Sequence, residues 1–256
     1  MFCEPFTTPG TKFSRLGKWE SLNTYGDRKC YLDSGPLSIT TVAAFLKLGT
    51  KYNIAQLRSE AVERLSYEYP SSLEVYDELC LDRWKKITFE NGINFNVANL
   101  AREVGLTSIL PAVLYSICAS RNFVEEILDG APGKDGRRVT LSFDYQRLCI
   151  LARERLLELR QNQTFKWLST VGEYEDCNDP ETCAIEGMRL FRRVFRSKPL
   201  CMALESWGIM YYYYQAEFCD PCIAEFKKMH NAGRISVWNE LPSIFGLPGW
   251  EELLME

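Results

Sequence analysis

The sequence predicts a mainly α-helical fold, on three observations. Apolar residues recur at helical spacing through most of the chain. Several of those stretches carry a start or stop signal, with Ser, Asn or Asp-Pro before them and glycine or proline after. No segment alternates apolar and polar residues strongly enough for a sheet, and there is no internal repeat or heptad array. The expected architecture is a helical array, a helical hairpin followed by a helical extension.

Residues 1–35 are broken by Pro5, Pro9 and Gly10, leaving one short helical turn at Leu16, Trp19 and Leu22. The organising stretch is Ser38–Pro70. There Val42, Phe45, Leu46 and Gly49 share one helical face, and Ile54, Leu57, Ala61 and Leu65 share another. Asn53 with Gln56 has capping-box spacing for the second helix, and Pro70 ends the pair. Such a hairpin cannot bury its stripe alone, so something must pack on it.

A helix is expected over Ser72–Lys86, then a turn at Asn91-Gly92. Asn96 is placed as N-cap of the next helix, with Val97, Leu100, Ala101 and Val104 inward and Gly105 as its stop. Ile109, Leu110, Val113, Leu114 and Ile117 mark another, in which Pro111 must fall in the first turn. Gly130–Arg138 has linker composition. Ser142 caps a long helix reaching about Gln161, and Phe165, Trp167 and Leu168 continue its burial. Asp179-Pro180-Glu181 starts a helix with Ala184, Met188, Phe191 and Phe195 inward. Further helices are expected over Leu200–Ala216 and from Pro221, with Leu241–Trp250 packing back as a proline-broken tail. The expected divisions are 1–35, 36–129 and 139–256.

The chain has 256 residues, 46% of them hydrophobic and 25% charged, enough for a sizeable core in one or two domains. A net charge of −4 argues against general binding to a phosphate backbone, which excess Lys and Arg drive. The longest uncharged run, Val104–Ser120, is too short and too polar to span a bilayer, so no membrane partner is expected. Glu4 stands where a signal peptide would be basic, so a cytoplasmic or nuclear location is expected. In such a compartment the ten cysteines should be thiols or metal ligands. Cys118 and Cys149 lie on apolar faces and belong to the core.

Four segments together resemble a group of fungal BTB (POZ) domain-containing proteins: FLKLGTKYNIAQLRSEAVERLSYEYP, VANLAREVGLTSILPAVLYSIC, LCILARERLLEL and WNELPSIFGLPGWEEL. The likeness covers the chain from about Gly26. It implies that the hairpin is the last two helices of a BTB fold, that residues 1–35 are a poorly ordered remnant of that fold, and that the later helices are a family-specific extension. It also implies a non-catalytic role in protein–protein contact, as an adaptor or by homo-oligomerisation. The first half of a BTB domain, with its strands and histidine-containing segment, is missing from this sequence. That half would supply most of the dimer surface and part of a cullin-binding face, so cullin binding is in question. A truncated product without independent function is a further reading.

The sharpest chemical signal is Cys219-Asp-Pro-Cys222, with Cys177 and Cys183 upstream as a second pair. Four thiolates in two pairs suit tetrahedral zinc, and both pairs fall at expected helix starts, which favour thiolates. Unligated thiols in a cysteine-rich chain are the alternative. His230 lies eight residues beyond Cys222, about 12 Å along a helix, too far to share an ion, and is expected to be a packing or surface histidine. A thioredoxin-like role for the CxxC would need a βαβ setting, and the surroundings are helical. Arg189, Arg192, Arg193, Arg196 and Lys198 form a basic cluster, which leaves a nucleic-acid-associated regulator as the alternative function; a solvated helix face explains it more simply. Tyr211–Tyr214 point in four directions and suit a partly buried helix better than a stacking platform. Glu103, Glu154 and Glu158 stand near arginines as surface pairs. With one histidine and no phosphate-loop, dinucleotide or Gly-x-Ser-x-Gly pattern, no catalytic group or organic cofactor site is proposed and an enzyme is not expected.

Overall fold

A serine hydroxyl starts the first helix, Ser38 Oγ accepting from the Thr41 amide at 3.2 Å. In the computed structural model, which describes residues 35–79, 83–134, 136–196, 200–214 and 216–255, this is α1 (Ile39–Lys51), and it pairs with α2 (Ala55–Glu68). Val42, Leu46, Ala61 and Leu65 are fully buried in the hairpin, as their spacing predicts. The joint is different. Asn53 does not cap α2: it takes a left-handed backbone (φ 52°), and Ile54 holds the N-cap position without a side-chain bond. Asparagine tolerates that conformation, and the sharp turn between the helices requires it.

The helix expected over Ser72–Lys86 shrinks to α3 (Leu73–Leu79), and residues 83–88 are not helical. Two charged side chains of α2, both buried, explain this. Glu68 accepts from the amides of Trp84 (2.8 Å), Lys86 (2.8 Å) and Ile87 (3.3 Å). Arg64 donates to the carbonyls of Gly35 (2.9 Å) and Lys86 (2.8 Å). The segment is thereby laid beside Leu37, with which Ile87 forms a parallel bridge. Side chains here satisfy backbone groups that a helix would otherwise satisfy.

α4 (Ile93–Val104) begins after the left-handed Gly92, so Asn96 lies inside the helix and is not its cap; Gly105 ends it as predicted. α5 (Leu110–Cys118) carries Pro111 in its first turn and is buried on nearly every side. α6 (Phe123–Asp129) has no counterpart in the sequence reading. The linker-like stretch closes into an antiparallel hairpin, β1 (Ala131–Pro132) on β2 (Arg138–Val139). α7 (Phe143–Leu159) is capped by Ser142 as predicted, packs on α5 and runs into a π-turn at Arg160–Thr164.

α8 (Pro180–Arg196), α9 (Trp207–Tyr214), α10 (Asp220–Ile244) and α11 (Trp250–Leu253) complete the fold, eleven α-helices among the described residues. The fold is mainly α, as the sequence predicts. Two apolar clusters fill residues 35–255. The larger joins α1 to α7; the smaller gathers Phe165, Trp167, Leu190, Val194, Trp207 and Phe226. α10 serves both, with Cys222 and Phe226 in the smaller and Val237, Trp238 and Leu241 in the larger.

Three expectations in this half change. Leu200–Ala216 is not one helix, since residues 200–206 form an irregular strap before α9. Side chains hold that strap: Tyr115 Oη accepts from the Leu204 amide (2.9 Å), Thr164 donates to Ala203 O (2.6 Å), and Arg234 donates to Leu204 O (3.1 Å). On α8 the inward face carries Cys183, Leu190 and Val194, while Met188 and Phe191 face solvent. Proline does not break the tail at Leu241, because α10 continues through Pro242 to Ile244. The tail still packs back as expected: Trp250 stacks on Trp238 (5.2 Å, 9°) and donates to its carbonyl at 2.8 Å.

No helix among the described residues is long and apolar enough to cross a membrane. Cys3, Cys30, Cys80, Lys198 and the turn of Leu16, Trp19 and Leu22 lie outside the described residues, as does nearly all of the expected 1–35 remnant.

Candidate metal centre

The two cysteine pairs meet. Sulfur atoms of Cys177, Cys183, Cys219 and Cys222 all lie within 4.8 Å of one another, and Cys177 Sγ stands 3.8 Å from Cys219 Sγ. Tetrahedral ligation with metal–sulfur bonds of about 2.3 Å places sulfurs about 3.8 Å apart. The 35-residue interval between the pairs is therefore spanned by the fold.

Two helix starts build the cluster. Asp179 Oδ1 accepts from the Thr182 amide (3.1 Å) and fixes the start of α8, which puts Cys183 in its first turn and Cys177 on the approaching loop. Cys219 is the N-cap of α10 in extended conformation, and Pro221 in the first turn leads to Cys222. Both helices aim their positive ends at the sulfurs. The Cys219 amide also donates to Cys183 Sγ at 3.4 Å, locking the pairs together.

The thiols are not equivalent. Burial pushes the Cys183 and Cys222 thiols up. Burial also acts upward on Cys219, but amide donors from Cys222 and Asn178 outweigh it and bring this thiol down to about 6. Four thiolates this close need a cation to keep all of them ionised. Cys183 and Cys222 are buried, whereas Cys177 and Cys219 are partly exposed, so an ion can reach the cluster from one side.

His230 is not part of it. The residue is fully buried, its Nδ1 accepts from Trp167 Nε1 (3.2 Å), and its Nε2 faces Glu205 O (2.8 Å). An indole N–H can only donate, so the proton sits on Nε2 and the ring is neutral. Of the two readings, packing histidine is the one observed. Cys118 and Cys149 are core residues as expected, with Cys118 Sγ 3.5 Å from Cys149 O. Burial pushes the Cys201 thiol up to about 12.

The remaining constellations stay apart from the cluster. Arg189 pairs with Glu186, and Arg189, Arg192 and Arg193 are exposed on α8. Tyr211 and Tyr212 face solvent, while Trp207 and Met210 of the same helix are buried. Glu103 pairs with Lys47 (2.7 Å) and Glu158 with Arg155 (3.1 Å), both on the surface. Sequence reasoning missed the pocket beside α8, lined by Leu168, Val171, Met188, Phe191 and Arg192. Its only trace in the sequence is that α8 carries two apolar stripes one residue apart.

No family model, curated protein or solved structure matches this chain. Fold and site define an all-α protein with a four-cysteine cluster able to hold a metal ion.

Proposed function

We propose that this chain is a non-catalytic interaction module of the BTB type whose C-terminal half is stapled by one structural zinc ion. The observation that carries the staple is the convergence of Cys177, Cys183, Cys219 and Cys222 at the starts of α8 and α10. An all-sulfur, four-ligand set with no open position is the pattern of structural zinc and not of a hydrolytic centre. The interaction role is supported by the resemblance of the α1–α2 hairpin and the later segments to BTB proteins, and by apolar side chains of α8 left in solvent.

Two measurements test the proposal. Elemental analysis of protein purified under reducing, chelator-free conditions should find about one zinc per chain, and protein without bound metal would remove the staple. Co-purification of two differently tagged copies, with mass spectrometry of captured proteins, should recover a second copy or a stoichiometric protein partner. A chain that stays monomeric and alone would overturn the module reading.

A further inference from the structure

We propose that the groove beside α8 is a docking site for an acidic amphipathic helical peptide, with an apolar side chain entering the groove and a carboxylate meeting Arg192. This rests on reading the chain as an interaction module, and it names the chemistry of the partner.

α8 has two apolar stripes, and only one is used. Cys183, Leu190 and Val194 face the core, but Ile185, Met188 and Phe191 are 41%, 57% and 49% exposed. A glycine sets the second wall. A Cβ on Gly187 would lie 2.5 Å from Val171 Cγ1, so its absence lets the 168–171 segment settle against the helix. Between the walls is a cavity of about 160 Å³ lined by Leu168, Val171, Ala184, Met188, Phe191 and Arg192. A cavity of roughly 150 Å³ holds a benzene-sized group, so this one admits a single Leu, Met or Phe side chain.

Charge selects the partner. Arg189, Arg192 and Arg193 are all exposed on this helix. Arg189 is paired with Glu186, whereas Arg192 is among the residues lining the cavity and has no partner among the described residues. A mainly apolar lining that includes one exposed, unpaired arginine fits an apolar anchor followed by a carboxylate. Helix-in-groove recognition supplies both, with anchors at i, i+3, i+4 and i+7 and acidic residues between. Nucleic acid would use the arginines but would leave Met188 and Phe191 in water.

The test is fluorescence anisotropy with the full chain and a fluorescein-labelled 16-residue helical peptide, with Leu or Phe at i, i+3, i+4 and i+7 and Glu elsewhere. A scrambled peptide and one with Lys for Glu are the comparisons. Saturable binding of the acidic peptide alone is expected. Phe191→Asp and Arg192→Glu should each weaken it at least tenfold, and Arg192→Glu should improve binding of the Lys peptide. Both positions are solvent-facing, and unchanged circular dichroism and zinc content establish that the variants fold. No binding, equal binding of the scrambled peptide, or indifference to both substitutions overturns the proposal. So does tighter binding of a 20-nucleotide single-stranded DNA lost in Arg192→Glu, or self-association that Phe191→Asp abolishes without peptide binding. If tagged-copy purification recovers a partner that Phe191→Asp does not lose, the groove assignment fails while the module reading stands.

Discussion

Trp167 Nε1 donates to His230 Nδ1 at 3.2 Å, across 63 residues of sequence, and so fixes the only histidine in the chain as a neutral ring. The ring is enclosed by Phe165, Trp167 and Trp207, with ring centroids 5.1, 6.3 and 5.7 Å away. Burial lowers its pKa to about 4, and the nearby guanidinium groups of Arg234 and Arg160 act in the same direction. The pair couples the Phe165–Ser169 turn to α10 inside the smaller core.

A pH dependence follows from this burial. The folded pKa is depressed below the unfolded value of about 6.5, so the unfolded chain takes up a proton first. The stability that neutral His230 contributes is complete above pH 6.5 and falls as pH drops from 6.5 to about 4. At about 1.4 kcal/mol per unit the loss is on the order of 3 kcal/mol. Urea unfolding between pH 7 and pH 4.5, compared with His230→Gln, should show the variant losing less over this window. A single-histidine NMR titration with its midpoint near 6.5 in the folded protein would contradict the account.

Metal removal should act locally. If the staple contributes as a ligand present at roughly 1,000 times its dissociation constant, it is worth about 4 kcal/mol. For a chain of this size that is on the order of 10 °C in Tm. Chelation, or Cys219→Ser, should therefore lower Tm and open the amides of α8 and the first turns of α10 to hydrogen exchange. Cys201→Ser, a buried cysteine outside the cluster, should leave metal content unchanged.

What could be read from sequence follows from the range of the forces involved. Local signals were sufficient for α1, α5 and α7, where the apolar stripes and the Ser142 cap agree with the packing. On α2 the spacing places Ala61 and Leu65 inward, but the Asn53 cap does not form and Ile54 is exposed. The four cysteines were legible because helix-start signals at Asp179-Pro180 and Pro221 put both pairs in equivalent settings. Errors arose where distant side chains took over backbone bonds. Glu68 pulls residues 83–87 out of a helix, and Tyr115, Thr164 and Arg234 do the same to residues 200–206. The inward face of α8 could not be chosen from periodicity, since both stripes have it; the contacts of Cys183 and Gly187 decide it.

Glu68 tests the first of those effects. Its carboxylate is fully buried and serves three amides from a different segment. Charge-assisted bonds contribute roughly 1.5–3 kcal/mol each, and a buried amide left without an acceptor adds its own penalty. Glu68→Ala should destabilise by about 3 kcal/mol or more, measured by chemical denaturation. Glu68→Gln keeps one acceptor oxygen and should cost less. An exposed neighbour on the same helix, Glu63→Ala or Ser59→Ala, should change stability by about 0.5 kcal/mol or less.

Gly233 gives a prediction whose sign reverses the usual rule. Glycine inside a helix ordinarily costs about 1 kcal/mol relative to alanine, so Gly→Ala at mid-helix stabilises. Gly233 sits in the middle of α10, where the helix packs against Gln163 and Thr164 of the π-turn. A Cβ there would stand 2.2 Å from Gln163 O, 2.5 Å from Gln163 C and 2.8 Å from Thr164 Cα. All three are backbone atoms, so no rotamer change can relieve the clash. Relief would require α10 to move off the turn, disturbing Thr164 and His230, which lie in the smaller core and hold the 200–206 strap. Overpacking of this kind costs typically 1–3 kcal/mol, which exceeds the propensity gain. Gly233→Ala should therefore destabilise by about 1–2 kcal/mol net in thermal or urea unfolding. Gly208→Ala in α9, where a Cβ would meet nothing within 4 Å, should be neutral or stabilising. A Gly233→Ala protein as stable as the parent would mean that α10 does not approach the π-turn this closely in solution.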